Sequence, residues 1–295
     1  MSYAFLADAK IQQRANDTFD DDKMFAALMS ASQRVDAMFT IINGWNYFEP
    51  YVGTQSLLMT PDIVSAIDNR LDLDYPLLEL ISANINGGDI TSQITTSAFT
   101  GAVANTPTMA LYLTASTSCD WWGLAYAQAC NSPIGVNIVG IFGMAKNWIN
   151  AFQDEDAIQD VGGINTSATL ITVADADGSN FEQLSPRFSR GQLIRVISNS
   201  VSEYMRVVGV NNVANTLTVR RAQNGTTTAI HAKDATISVF YPEHGIRQAV
   251  AAQAAMFYER RGSFNDTSFD GMTMTKFPTD LIPQLYGVLQ EYVNI

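Results

Sequence analysis

The stretch from Val161 to Ser263 constrains this chain most, because it packs five strand patterns into about eighty residues and then breaks into a helix. The patterns fall at Ala168–Ala174, Gln192–Ile197, Glu203–Val210, Asn215–Arg220 and Ala235–Phe240. Each mixes β-branched residues with alternating polar ones, as a half-buried strand does. Turn signals separate them: Asp177-Gly178, Ser189-Arg190-Gly191, Asn211-Asn212 and Asn224-Gly225. Asn224-Gly225 is the best local hairpin signal, since both residue types tolerate the positive φ of a tight turn. So many short strands predict a small barrel or sandwich rather than a parallel sheet. Tyr241-Pro242 ends the pattern. Ile246, Ala249, Val250, Gln253 and Phe257 then recur at helical spacing, with the alanines of AVAAQAA allowing a neighbouring helix to approach closely.

The two ends of the chain read as helical. Leu6–Arg14 predicts a short helix, and a longer one follows with Asp20, Asp21 and Asp22 in its first turn. Carboxylates suit the positive end of the helix dipole there, so capping explains the aspartates better than metal binding. Met24, Leu28, Ala31, Val35 and Met38 form its apolar stripe. Pro278 and Pro283 bracket a last short helix carrying Leu285, Val288, Leu289 and Tyr292. Residues 45–150 read as irregular and β-rich, with strands at Leu71–Leu80, Pro107–Thr114 and Gly135–Ile141. Lys146–Phe152 reads as a helical turn or two, leading into the acidic run Asp154–Asp160.

Charge narrows the function classes. The 29 acids outweigh 17 Lys and Arg, for a net charge of −12. This argues against a grip on nucleic acid, which relies on clustered cations, but not against DNA as a neighbour that must not stick. No segment nears the roughly twenty apolar residues of a membrane span. The start, MSYAFLADAK, lacks the pattern of a secretory signal, and Cys119 and Cys130 fit a reducing compartment without a disulfide framework.

A search for chemistry finds little. His231 and His244 sit in no metal-ligand spacing, and surface or capping positions explain both. No nucleophile elbow and no phosphate-cradling loop is present. Asp175–Asn180 has alternating oxygens that suit calcium, but a turn built from Asp and Gly explains the same residues. Asp72 with Asp74, or Asp154 with Asp156, are carboxylate pairs of the kind glycosidases use, and exposed strand or turn acids explain them more simply. Trp121, Trp122 and Tyr126 offer either an aromatic platform for a sugar or ordinary core. The residues predict no enzyme, cofactor or metal site.

Over most of its length the chain resembles the bacteriophage head–tail connector (adaptor) proteins, of the type with a β-domain insertion. The resemblance is carried by YAFLADAKIQQRANDTFDDDKMFAALMSASQRVDAMF, LDLDYPLLELISANINGGDIT and IGVNIVGIFGMAKNWINAF. It continues in SPRFSRGQLIRV, EYMRVVGV, NTLTVRRAQNGTTTAIHAKDATISVF, IRQAVAAQAAMFYERRGS and the closing FPTDLIPQLYGVLQEYVNI. It does not extend over Ser56–Asn69 or residues 91–132. The resemblance implies an α+β fold: a helical core from the N- and C-terminal segments (1–42 and 243–295) with inserted antiparallel β modules. These are a β-rich module over 43–158 and a small β-barrel over 159–242.

It also implies a structural virion protein at the head–tail interface, assembled in the host cytoplasm. Such a protein forms a ring with copies of itself, a dodecamer, between the portal protein and a stopper, tail or other neck protein. DNA passes through the channel without specific binding, and no membrane is involved. Leu281, Ile282, Leu285, Tyr286, Leu289 and Tyr292 are the expected portal-docking residues. Leu28, Val35, Ile246, Val250 and Phe257 are the expected subunit-packing set, with packing inside the chain the competing reading of any helix stripe. Asp154, Glu155 and Asp156 are the expected channel-lining acids. Rival readings are another neck or tail component, such as a stopper or terminator, or a carbohydrate-binding β protein of the tail.

Overall fold

The computed structural model describes residues 2–14, 20–43, 48–58, 64–65, 70–85, 87–96, 106–113, 135–198, 201–260 and 283–290. They divide into two compact units, one of residues 47–149 and one joining residues 1–46 to 150–294.

The first of these is built on one antiparallel sheet. Its strands are β1 (Tyr51–Leu58), β2 (Val64–Ser65), β3 (Arg70–Ile85), β4 (Gly88–Asp89), β5 (Ile94–Thr95), β6 (Thr108–Leu113) and β7 (Gly135–Phe142). The order is β1-β7-β3-β6-β5, with β2 and β4 also paired to β3. β1 and β7 pair along their whole length, from Tyr51 opposite Phe142 to Leu58 opposite Gly135. β7 alternates cleanly, burying Val136, Ile138 and Phe142. Where that alternation reaches Gly140, a Cβ would lie 2.6 Å from the Glu79 carbonyl oxygen, so only glycine lets β7 and β3 close up. β3 is longer than the predicted Leu71–Leu80 and runs through Pro76. A central strand tolerates that proline because the β3–β6 register shifts between Asp72 and Leu77, where no ladder N–H is required.

The second unit holds β8 (Phe152–Ala157), β9 (Leu170–Thr172), β10 (Leu193–Ser198), β11 (Val201–Asn211), β12 (Thr216–Gln223) and β13 (Thr236–Phe240). They form an antiparallel sheet in the order β8-β13-β10-β11-β12-β9. One face of every strand from β9 to β13 feeds a single buried cluster, including Ile171, Ile194, Val196, Met205, Val207, Leu217, Val219, Ile237 and Val239. At about 25 cal/mol per Å² of apolar surface, such fully buried branched side chains dominate the unit's stability.

The helices α1 (Leu6–Gln13), α2 (Asp21–Asn43), α3 (His244–Arg260) and α4 (Pro283–Gln290) belong to this second unit. The Asp8 carboxylate accepts the Phe5 N–H at the start of α1, and Asp21 and Asp22 sit in the first turn of α2. α2 and α1 pack on α3, and α4 packs on α3 as well.

The expected fold class is therefore corrected. The chain is not an α+β protein with a helical core and a small barrel looped out of it; it is mostly β, with about a quarter of it helical. The reason is the apolar area each element can bury. α3 turns Ala249, Ala251, Ala254 and Ala255 inward, and alanine buries little surface, whereas the strands supply Ile, Val and Leu. Nor is the second sheet a closed barrel. Its edges, β8 and β9, are linked mainly by side chains: Asp156 accepts the N–H groups of Ala174 and Asp175, and Asp160 accepts that of Thr172.

Candidate functional site

Among the described residues, the most concentrated polar chemistry is a buried node of Glu203, Arg221 and His231. Glu203 on β11 has the strand parity of Met205 and Val207, and Arg221 on β12 that of Leu217 and Val219, so alternation turns both charges inward. The Glu203 carboxylate accepts Arg221 Nε at 2.7 Å, Arg221 Nη2 at 2.6 Å and His231 Nε2 at 3.0 Å. It also accepts the N–H groups of Ala222 and Ala229. Arg221 gives its remaining N–H groups to the carbonyls of Asn165, Ala168 and Ala229, so the guanidinium is fully satisfied. Burial alone would raise the Glu203 pKa, but the bonds from Arg221, His231, Ala229 and Ala222 outweigh it and hold the carboxyl at about 2. The node is sealed from solvent, with Glu203 and His231 side chains fully buried. Glu203 and Arg221 are spent on holding the turn after β12 and the loop before β9 to the sheet, while the buried His231 Nδ1 has no hydrogen-bond partner among the described residues.

His231 is thus not the surface or capping residue the sequence suggested. Its backbone forms an isolated bridge with Ile164, which draws the segment after β12 back over the sheet edge. His244 is exposed, at the first position of α3.

A second node joins α1, α3 and the loop after β9. Arg247 donates to Asp8 at 2.8 Å and to Glu182 at 2.6 Å, and its guanidinium lies 4.5 Å above the Phe5 ring. Burial opposes its charge, yet the bonds to Glu182 and Asp8 prevail and raise its pKa. Beside it, Tyr241 donates its hydroxyl to Glu155. Burial, then the Glu155 bond, push the Tyr241 pKa up, and burial also raises that of Glu155 against its bonds from Tyr241 and Phe181.

These contacts place the three acids expected to line a channel. Asp154, Glu155 and Asp156 all lie on β8, a strand where the sequence showed only an acidic run. Asp154 accepts the Ser238 hydroxyl at 2.7 Å, and Asp156 accepts Arg187 at 3.1 Å with its carboxylate almost wholly buried. Each has a partner within the chain.

In the expected packing set, Leu28, Val35, Ile246 and Val250 are fully buried within this unit, and Phe257 is half-buried. In the expected docking set, Leu285 and Leu289 are buried on the inner side of α4, and Tyr286 lies on the same helix. Leu281, Ile282 and Tyr292 lie outside the described residues, as do Trp121, Trp122, Tyr126, Cys119 and Cys130. The Asp175–Asn180 stretch is a turn whose oxygens face backbone N–H groups: Asp175 accepts that of Gly178, and Asn180 those of Glu182 and Leu184.

Beside α2 the same unit carries a pocket of about 480 Å³, lined by Phe25 and Met29 of α2, by Arg190, and by Arg206, Val208 and Arg220 of the sheet. Among the described residues, no three His, Cys, Asp or Glu side chains gather as metal ligands would, and no helix is long and apolar enough to cross a membrane. No protein-family profile, curated protein or solved structure matches the chain.

Proposed function

We propose that this chain is a structural virion protein, a head–tail adaptor whose copies form a ring between the portal and the tail. The observation that carries the reading is where the two resembling ends of the chain lie. α1 and α2, from the first forty-odd residues, pack on α3, and α4 packs on α3 in turn, so the segments with the strongest likeness meet in one helical layer. The mostly β fold beside that layer is not the one the resemblance implies, so the reading rests on the segments and on their meeting. The buried ionisable groups agree with it: the Glu203 and Arg247 nodes lock loops to a scaffold, as suits a part that must be rigid. A ring requires a heterologous contact, one patch against a different patch on the next copy, and the acidic balance suits a channel that DNA must leave freely.

Antibody-gold labelling of purified particles, and of tailless heads from the same lysate, tests this. Gold at a single head vertex or at the neck is the expected result. Gold at the distal tail, or no association with particles, overturns the reading.

A further inference from the structure

We infer that β1 is a docking edge for a second copy of this chain, the two β1 strands pairing antiparallel about a two-fold axis at Gln55. At the ends of the two strand orders lie β1, β5, β8 and β9. An edge strand presents unpaired N–H and C=O groups, and proteins guard such edges by shortening, charging or covering them, or with proline or a bulge. β5 is two residues long and β9 three. β8 carries Asp154, Glu155 and Asp156, and the carboxylates of Asp156 and Asp160 take up N–H groups of β9 and the residues after it. β1 has none of these devices. It is eight residues long, Tyr51–Leu58 holds no charge and no proline, and its ladder with β7 runs through without a register shift. Among the described residues, nothing hydrogen-bonds to the outer edge of the backbone from Val52 to Leu58.

The strand is held in place from behind. On the outer face Ser56 donates to Asn137 of β7, and Asn137 donates to Asn84 of β3. A template fixed in this way has little ordering entropy left to lose when another strand adds to it.

Charge, strand parity and one orphaned side chain select the occupant. Two chains of net charge −12 repel each other, and an uncharged strand is where they approach at least cost. Every ladder in this sheet is antiparallel, and antiparallel pairing of β1 with itself is self-complementary, as a two-fold contact requires. Directly opposite residues share a face, so the inward positions Gln55 and Leu57 must meet inward positions. Centring the pair on Gln55 sets Val52 opposite Leu58, Gly53 opposite Leu57 and Thr54 opposite Ser56. Leu58, 62% exposed in the single chain, then gains an apolar cross-strand neighbour. Gln55 meets its own copy. It is 4% exposed, and neither its Nε2 nor its Oε1 has a hydrogen-bond partner. An amide left so is costly, and a second glutamine turned toward it supplies both the donor and the acceptor it lacks. A strand of another protein would use the backbone edge equally, but nothing would bring an amide to Gln55. The contact goes beyond the adaptor reading: a ring closes through two different patches, whereas this one closes at two copies.

The test is made on the full chain in solution, with no virus particle. Sedimentation velocity over a range of concentrations is expected to show a reversible monomer–dimer equilibrium. Thr54 and Leu58 are exposed, so lysines there are compatible with the fold and place like charges along the shared edge. Thr54→Lys combined with Leu58→Lys is expected to raise the dimer dissociation constant by about tenfold or more, with an unchanged far-ultraviolet circular dichroism spectrum. Register is read separately, in a chain with Cys119 and Cys130 changed to Ser. There Gln55→Cys is expected to give a disulfide-linked dimer under mild oxidation. Leu58→Cys is expected to give none, since the two copies of residue 58 lie at opposite ends of the ladder. The proposal is overturned by a free chain that stays monomeric, by a dimer that the two lysines do not weaken, by cross-linking at 58 rather than 55, or by growth into open-ended aggregates. A ring of copies that the lysines leave intact also overturns it, while leaving the adaptor reading standing.

Discussion

The Glu203 carboxylate and the Arg221 guanidinium meet side by side, Nε on Oε1 at 2.7 Å and Nη2 on Oε2 at 2.6 Å, with both side chains out of solvent. A buried pair of this kind adds little over two apolar residues, but removing one member strands the other charge. Glu203→Ala leaves Arg221 facing three carbonyls and no anion, and is expected to cost about 3–5 kcal/mol. Urea unfolding measures this. A loss below about 1 kcal/mol would mean that the node is wet and its charges are solvated.

Acid should act on the same carboxylate. The Glu203 pKa is held at about 2 in the folded chain, below its ordinary value near 4.5. A group depressed by folding contributes stability that is complete above its unfolded pKa and is lost as pH falls through the folded one. The thermal midpoint is therefore expected to fall between about pH 4.5 and pH 2 in a way that the Glu203→Gln variant does not share, because glutamine does not titrate. Parallel pH curves for the two proteins would remove Glu203 as the source.

Arg247 bridges two carboxylates on different segments, Asp8 on α1 and Glu182 on the loop after β9, while stacking on Phe5. Lysine keeps the charge but not the planar fork, so Arg247→Lys is expected to lose one of the two contacts and about 1–3 kcal/mol. Hydrogen exchange is expected to quicken in both α1 and the 175–188 loop. Protection lost in one of them alone would show that the arginine serves that side only.

Much of the second sheet was legible in the chain, and what was not has physical causes. β9 to β13 fall on the five predicted patterns because half-buried strands must alternate. Asn224 and Gly225 do take positive φ, 50° and 80°, yet they close no hairpin. β13 pairs with β10 and β8, and turn chemistry is local where strand pairing is not. β8 was hidden as an acidic run, since its carboxylates find their partners far along the chain, in the hydroxyls of Ser238 and Tyr241 and the guanidinium of Arg187. The signal for Glu203 and Arg221 was present as a charge at an inward position on each of two strands. The helical core was misjudged because helix length is visible in a sequence, whereas the area an alanine-rich face buries must be weighed.

Gly140 tests the first sheet. Any side chain there would press on the Glu79 carbonyl and on Leu77, where β7 and β3 lie closest. Gly140→Val is expected to splay the two strands and lower stability by about 1–3 kcal/mol despite valine's strand propensity. Tryptophan fluorescence is a suitable monitor, because Trp148 donates to Glu79 on β3 at 3.1 Å. A stabilised variant would mean that β3 moves away from β7 at no cost.

The last helix separates folding from docking. Leu285 and Leu289 are buried in the chain, so Leu285→Ala is expected to cost about 2–5 kcal/mol whatever the protein's partners are. The adaptor reading expected these two leucines to dock on the portal together with Leu281, Ile282, Tyr286 and Tyr292; with both leucines buried, the proposed contact rests on the other four. Under it, a chain with Leu281, Ile282 and Tyr292 all changed to Ser keeps its thermal midpoint but no longer joins portal-bearing heads in an in vitro assembly assay. Normal joining by that variant counts against docking through this segment. A variant that joins poorly and also melts early places those three residues in the fold, with Leu285 and Leu289, rather than at an interface.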